Sequence, residues 1–382
     1  MSCFVRLTPD TLLRLLPKKS LSVLFALPLG LFMTGSALAD EAPRVAVSIL
    51  PIHALVQSVM EGVGEPELLI DQGASPHGYS LRPSQVRALN SADLVVWVGE
   101  GLETFLVKSL HQKSENGGTG AALELMDIAG LTLLENRTAG AWKTGEDHDH
   151  GEKEGDGHTE QAEEDQDHTH DHGDNPDHGP DHSHGHEGHN HEEHNDEVHH
   201  HEEDHDHNHG KYDPHIWLSL DNASVIVARV GEELARIDPA HAEIYAANVS
   251  KTQTSLAMLK QDIAGQLLPV SSKPYLVFHD AYQYFELDFD LNVIGAVTID
   301  PDRKPGAKRL SELRHLLEES GAVCVFREPQ FQPAVIEVLS ENLAVQIGEL
   351  DPLGANLEKG ADAYPRLLEG LANSLTGCLS KK

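Results

Sequence analysis

Apolar residues along this chain fall into short dense runs separated by stretches with helical spacing. RVAVSIL (44–50), PELLID (66–71) and ADLVVWVG (92–99) are rich in Val, Ile and Leu, the composition of strands buried on both faces. Between them, IHALVQSVMEGV (52–63) and RPSQVRALNSA (82–92) place apolar residues at helical intervals. This β-then-α alternation predicts a parallel sheet flanked by helices on both faces. The grammar resumes at HIWLSL (215–220), followed by two helical stretches, NASVIVARVGEELARI (222–237) and Pro239 to about Leu268. The second is long and opens with Asp238 and Pro239, a cap followed by a first-turn proline. Four more runs complete the chain: PYLVF (274–278), NVIGAV (292–297), AVCVF (322–326) and AVQIGEL (344–350), with a helix starting near Lys308 among them.

Two stretches break the pattern. The first 39 residues carry Arg6, Arg14, Lys18 and Lys19, then the apolar run LSVLFALPLGLFM (21–33), then Ala37-Leu38-Ala39. That order is a secretory signal peptide cut before Asp40. The run is short and broken by Pro28 and Gly30, whereas a spanning helix needs about 20 mainly apolar residues. No Cys stands at the cleavage site, which argues against a lipid anchor there. The expectation is an exported soluble chain that does not insert in the membrane. Cys3 leaves with the signal, and the remaining pair, Cys324 and Cys378, reads as a structural disulfide in an oxidising compartment.

The second break runs over 141–210, which is almost entirely His, Asp, Glu, Gly and Asn. Such a segment buries too little apolar surface to offset chain entropy, so disorder is expected. Its size inside an otherwise compact α/β pattern points to function. It also concentrates charge. The whole chain stands at −34, and 146–209 hold 24 Asp and Glu against one Lys. A field of this sign repels nucleic acid and anionic membrane and attracts cations.

Of 26 histidines, 19 lie in this segment. They include His148 and His150 in DHDH; His168, His170 and His172 in HTHDH; and His182, His184 and His186 in HSHGH. His199, His200 and His201 open HHHEE, and His205, His207 and His209 lie in DHDHNH. Acid alone would give solubility; interleaved imidazoles and carboxylates imply many weak sites for borderline divalent ions.

Among the other seven, three share a setting. His77 follows PELLID by a short Gly/Pro loop, His215 follows Asp213-Pro214 where the segment ends, and His279 follows PYLVF directly. Ligands of open α/β sheets bind outside the carboxyl ends of strands, so a cleft between two lobes would bring these side chains together. Three imidazoles with one oxygen make a tetrahedral zinc site. Asp351, after AVQIGEL in LDPLG, is the candidate carboxylate, with capping of its own turn as the alternative. His53, His241 and His315 fall in helical patterns and read as surface or half-buried, and His111 ends a polar helix. Three histidines with an open position also suit a zinc enzyme, but no hydrolase motif includes His77, His215 or His279, and the one HExxH match, HEEDH (201–205), falls in the acidic segment, which has no helical pattern.

At these residues the sequence resembles a known family. ASPHGYSLRPS (74–84), ADLVVWVGEGLE (92–103), DPHIWLS (213–219), VFHDAYQYFE (277–286), CVFREPQFQPAV (324–335) and LDPLG (350–354) are similar, in order, to stretches of the ZnuA family of periplasmic zinc-binding proteins, within the cluster A-I metal solute-binding group. The resemblance implies an α/β fold of two lobes, each a parallel sheet flanked by helices, joined by one long rigid helix with metal in the cleft. It implies domains at 40–238 (containing the segment 141–210) and 269–382, linked by 239–268. Its metal ligands fall on His77, His215 and His279, and its disulfide on Cys324 and Cys378. Some zinc members place a Glu just before the first His; Pro76 stands here, leaving the fourth position to water or Asp351. Manganese members present two His and two carboxylates, so His279 favours zinc. The resemblance further implies a monomer, not an enzyme, that hands zinc to an ABC permease driven by a cytoplasmic ATPase. The acidic segment would serve as a low-affinity zinc collector or sensor. Other periplasmic zinc-binding proteins are further candidate partners.

Overall fold

A computed structural model describes residues 41–115, 120–137, 142, 210–299, 301, 305–332 and 334–381. The signal segment and the 19 histidines of the acidic segment lie outside the described residues.

Two four-stranded parallel sheets organise the chain. The first contains β1 (Val45–Val47), β2 (Glu67–Leu68), β3 (Leu94–Trp97) and β4 (Ala121–Glu124), ordered β2-β1-β3-β4. The second contains β5 (Tyr275–His279), β6 (Val293–Thr298), β7 (Cys324–Arg327) and β8 (Gln346–Glu349), ordered β6-β5-β7-β8. The two orders are equivalent. In each, the winding reverses between the first and third strands in sequence, which puts a crevice at their carboxyl ends.

The helices follow the apolar spacing. In the first half they are α1 (Leu50–Val59), α2 (Pro83–Ser91) and α3 (Thr104–Glu115). Then come α4 (Leu220–Ile237) and α5 (Ala242–Leu267), followed by α6 (Gln283–Phe289), α7 (Ala307–Ser320), α8 (Ala334–Ser340) and α9 (Ala363–Leu379). Almost every residue of α1 is buried, as its nearly all-apolar sequence requires. Ser219 caps α4, its hydroxyl accepting from the Asn222 N–H, with Asp221 in the first turn and Arg236 in the last, where the helix dipole favours them. Helix α5 packs on α4, α1 and α9. It approaches α4 closely at Gly231, where a Cβ would overlap Val249.

One apolar core runs through both halves, including β1, β3, α1, α4, α9 and the inner faces of β5 and β7. Polar bonds cross the same junction. Trp217 Nε1 donates to the Pro352 carbonyl at 2.8 Å, and the Tyr364 hydroxyl donates to the Trp217 carbonyl at 2.7 Å. Cys324 and Cys378 are joined by a disulfide, tying α9 to β7.

Several expected boundaries differ. The run at 44–50 yields only a three-residue strand, because Ile49 and Pro51 start a helix at Leu50. The fourth strand of the first sheet, AALE (121–124), lacks the dense apolar signature because it lies at a half-exposed edge. Residues 216–218 form a single 3-10 turn. The long stretch from Pro239 begins with a 3-10 turn at 239–241 before α5. Asp238 does not cap that helix; its carboxylate takes the Tyr245 hydroxyl and His241 Nδ1.

Candidate metal centre

Each of the three histidines is held by a different piece of local structure. His279 is the last residue of the fully buried β5, at the reversal of strand order in the second sheet. The neighbouring strand β7 ends one residue before Glu328, so that carboxylate arrives beside the imidazole. His279 Nδ1 and Glu328 Oε1 are 2.6 Å apart. His215 sits in a turn fixed from behind. Asp213 Oδ1 accepts its backbone N–H at 2.9 Å and lies 2.7 Å from its Nδ1. Asp213 is itself pinned, its N–H donating to Leu134 and its carbonyl accepting the Tyr284 hydroxyl. His77 comes from the loop after β2, its N–H donating to Ser75 Oγ.

An ionised carboxylate at Nδ1 fixes the tautomer: the proton stays on Nδ1 and the Nε2 lone pair points the other way. For His215 and His279 those two Nε2 atoms face each other at 3.3 Å. Two nitrogens bound to one tetrahedral zinc at about 2.05 Å would be separated by roughly 3.3 Å. Ligand atoms of all three rings lie within 4.8 Å of one another, and this is the single such group of three or more potential ligands among the described residues. His77 is held neutral: burial, then the neighbouring His215 and His279, lower it to about 2. A neutral imidazole offers its lone pair without first losing a proton.

The walls are apolar. Pro76, Trp217, Phe331, Pro352 and Leu353 surround the histidines and Glu328. The Trp217 ring is 5.2 Å from that of His215, and the Phe331 ring stands edge-on to His279 at 6.0 Å. The enclosed space is about 10 Å³, room for about one water-sized species. The site therefore suits a single ion.

Asp351 is not brought into this cluster. Its Oδ1 accepts from Gln330 Nε2 and from the N–H groups of Leu353 and Gly354, and its Oδ2 from the N–H of Ala355. It caps its own turn, the alternative that the sequence left open. The reading of His53 as a surface or half-buried residue needs correction. It is 3 % exposed inside α1, with Nε2 2.9 Å from the Pro66 carbonyl, because its apolar helix is buried on all sides. His241 is half-buried against Asp238, and His315 is exposed on α7. Sequence reasoning missed Glu328 and the role of Asp213. Asp213 was within reach, since it lies two residues before a candidate ligand, whereas Glu328 marks a strand end in REP whose pairing with His279 depends on which strands become neighbours.

The profile of the family described as "ZnuA: Zinc-uptake complex component A periplasmic" matches residues 45–378. The chain belongs to the ZnuA family. The high-affinity zinc uptake system protein ZnuA of Brucella suis is 42 % identical over 347 residues, covering 91 % of this chain and 95 % of that one. Its counterpart in Yersinia pestis is 36 % identical over 337 residues, covering 88 % and 91 %. A solved structure, "Crystal structure of ZnuA", superposes with a TM-score of 0.61 at 20 % identity, covering 88 % of this chain and 99 % of its own. A "ZnuA deletion mutant plus zinc bound" gives 0.62 at 21 % identity, covering 89 % and 99 %. At that identity the structures speak for the fold, which they share. Membership of the ZnuA family makes this chain a zinc-binding component of a zinc uptake system, not an enzyme.

Proposed function

We propose that this protein works in the periplasm, where it captures one zinc ion with His77, His215 and His279 and delivers it to an ABC permease. The observation that carries this reading is the pair of Nε2 atoms at 3.3 Å, with a third imidazole converging on them in a cavity sized for one ion. Water completes the coordination, because Asp351 is engaged in its turn and Glu328 is engaged with His279 Nδ1.

The ligands differ in freedom. His215 and His279 are each tied to a buried carboxylate, whereas His77 rides on a loop. Closure on the ion therefore falls to His77. A large hinge motion is disfavoured, since one apolar core and a 26-residue helix span both halves. The acidic segment raises the local zinc concentration through many weak ligands and passes ions to the cleft. The loaded protein, a monomer, docks on the permease, whose cytoplasmic ATPase drives transport.

Zinc titration calorimetry on the mature chain lacking residues 146–209, with and without His279→Ala, tests this reading. One tight zinc is expected to survive the deletion and to be weakened on the order of 100-fold by the substitution, one ligand's share of the total zinc binding energy. A deletion protein without a tight site would transfer the function to the segment alone.

A further inference from the structure

The two arms that flank the acidic segment meet beside the metal centre. Glu135 and Tyr212 form an antiparallel bridge. The Asn136 N–H donates to the Lys211 carbonyl at 2.8 Å, and Asn136 Nδ2 donates to Gly210 at 2.8 Å. The next residue, Arg137, turns inward, its side chain only 19 % exposed. Its guanidinium contacts Glu286 through Nη2 and lies 3.6 Å from Asp280 Oδ1 through Nη1. Asp213 contributes to the same field. Trp142 covers the guanidinium, its ring centre 4.2 Å away, and the Trp142 N–H donates to Ile294 of β6. Asp280 directly follows His279, and Asp213 holds His215. One cation thus pairs with the acid that follows His279 and lies in the field of the acid that holds His215.

We propose that Arg137 is a positioning residue for the metal centre, engaging Asp280 and Glu286 so that Asp213 is left to hold His215 alone. This rests on the reading that His215 ligates zinc. The planar guanidinium fork spans two carboxylates at once, which a lysine's point charge does not. Without it, three buried acids lie close together without the guanidinium, an arrangement that buried groups relieve by taking up protons or by moving, and either change alters the hydrogen bonds around Asp213. Asp213 is the member whose movement releases the His215 ring. The nearness of a positive charge to a bound cation works in the opposite direction: were Arg137 only a charge, its removal would tighten zinc binding. The sign of the effect therefore separates orientation from bare repulsion.

The test uses the full chain with a competing chelator that holds free zinc low enough for only the tightest site to fill. Arg137→Gln is expected to weaken that site by about 10-fold, the lower end for groups that orient metal ligands. Arg137→Lys is expected to recover only part of the loss. In an Asp213→Asn background, Arg137→Gln is expected to add less than about twofold, because the two changes act through one bond. The visible bands of cobalt at the tight site are expected to shift in Arg137→Gln, which a loss of stability alone would not cause. Unchanged or tighter zinc binding, or an undiminished effect in the Asp213→Asn background, overturns the proposal. If Arg137→Gln does not fold by circular dichroism, Arg137→Lys with and without Asp213→Asn decides by the same criteria. An unsubstituted chain whose tight zinc is indifferent to His215→Ala would overturn the site itself; a tight zinc sensitive to His215 but not to Arg137 would overturn this inference alone.

Discussion

Removing Glu328 tests whether the carboxylate behind His279 contributes to holding the ion. A zinc ion on His279 Nε2 would lie roughly 6 Å from this carboxylate, given a zinc–nitrogen bond of about 2 Å, the width of the ring and the 2.6 Å hydrogen bond. At an effective dielectric of about 20, a dication and a carboxylate at that separation attract by about 5 kcal/mol. Part of this is offset, because burial pushes Glu328 up to about 8, so at neutral pH it must give up its proton first, at about 1.4 kcal/mol per pH unit. Glu328→Gln keeps a carbonyl acceptor for the Nδ1–H and loses the charge. Glu328→Leu loses both and frees the ring. Zinc affinity is expected to fall about 10-fold in the first and about 100-fold in the second, the range seen when groups orienting metal ligands are removed. Chelator competition on the full chain measures both, with circular dichroism to establish folding. A folded Glu328→Leu protein that binds zinc within about threefold of the unsubstituted chain would refute the reasoning.

Other expectations follow from the same structure. His77→Ala, His215→Ala and His279→Ala are each expected to cost on the order of 100-fold in zinc affinity by competition, while Asp351→Asn, confined to its turn, costs less than about threefold. Replacing Cys324 and Cys378 by serine opens a loop of 54-residue separation and is expected to lower stability by about 4 kcal/mol on the loop-entropy account; denaturant melts check it. Burial raises Glu103 to about 7 from an ordinary value of 4.5. The folded state therefore holds this proton more tightly than the unfolded state. Its stabilising contribution is complete below about pH 4.5 and is lost as pH rises to about 7, at up to about 1.4 kcal/mol per pH unit. Glu103→Gln should flatten the stability of zinc-free protein over that window in melts; an unchanged slope counts against it. Gly231→Ala, which forces a methyl group into Val249 between α4 and α5, is expected to lower stability by about 1–3 kcal/mol.

Local pattern determined much of this protein. Strands buried on both faces advertise themselves as dense runs of Val, Ile and Leu, so both sheets and their α/β grammar were legible from runs such as RVAVSIL and PYLVF and the helical stretches between them. The convergence of the three histidines was legible because parallel sheets gather side chains at strand ends, and His279 stands at one. The weak strand at 121–124 was not, since an edge needs little apolar surface to form. What only the tertiary structure decided is where charge meets the imidazoles. Glu328 reaches His279 from an adjacent strand 49 residues away, and Arg137 reaches Glu286 across 149 residues. Such pairings leave no periodic trace, because they depend on which strands become neighbours and on the close approach of two halves. The same holds for Asp351: its sequence fits a ligand or a turn cap equally, and the choice was made by four donors that converge on its carboxylate only in the folded chain.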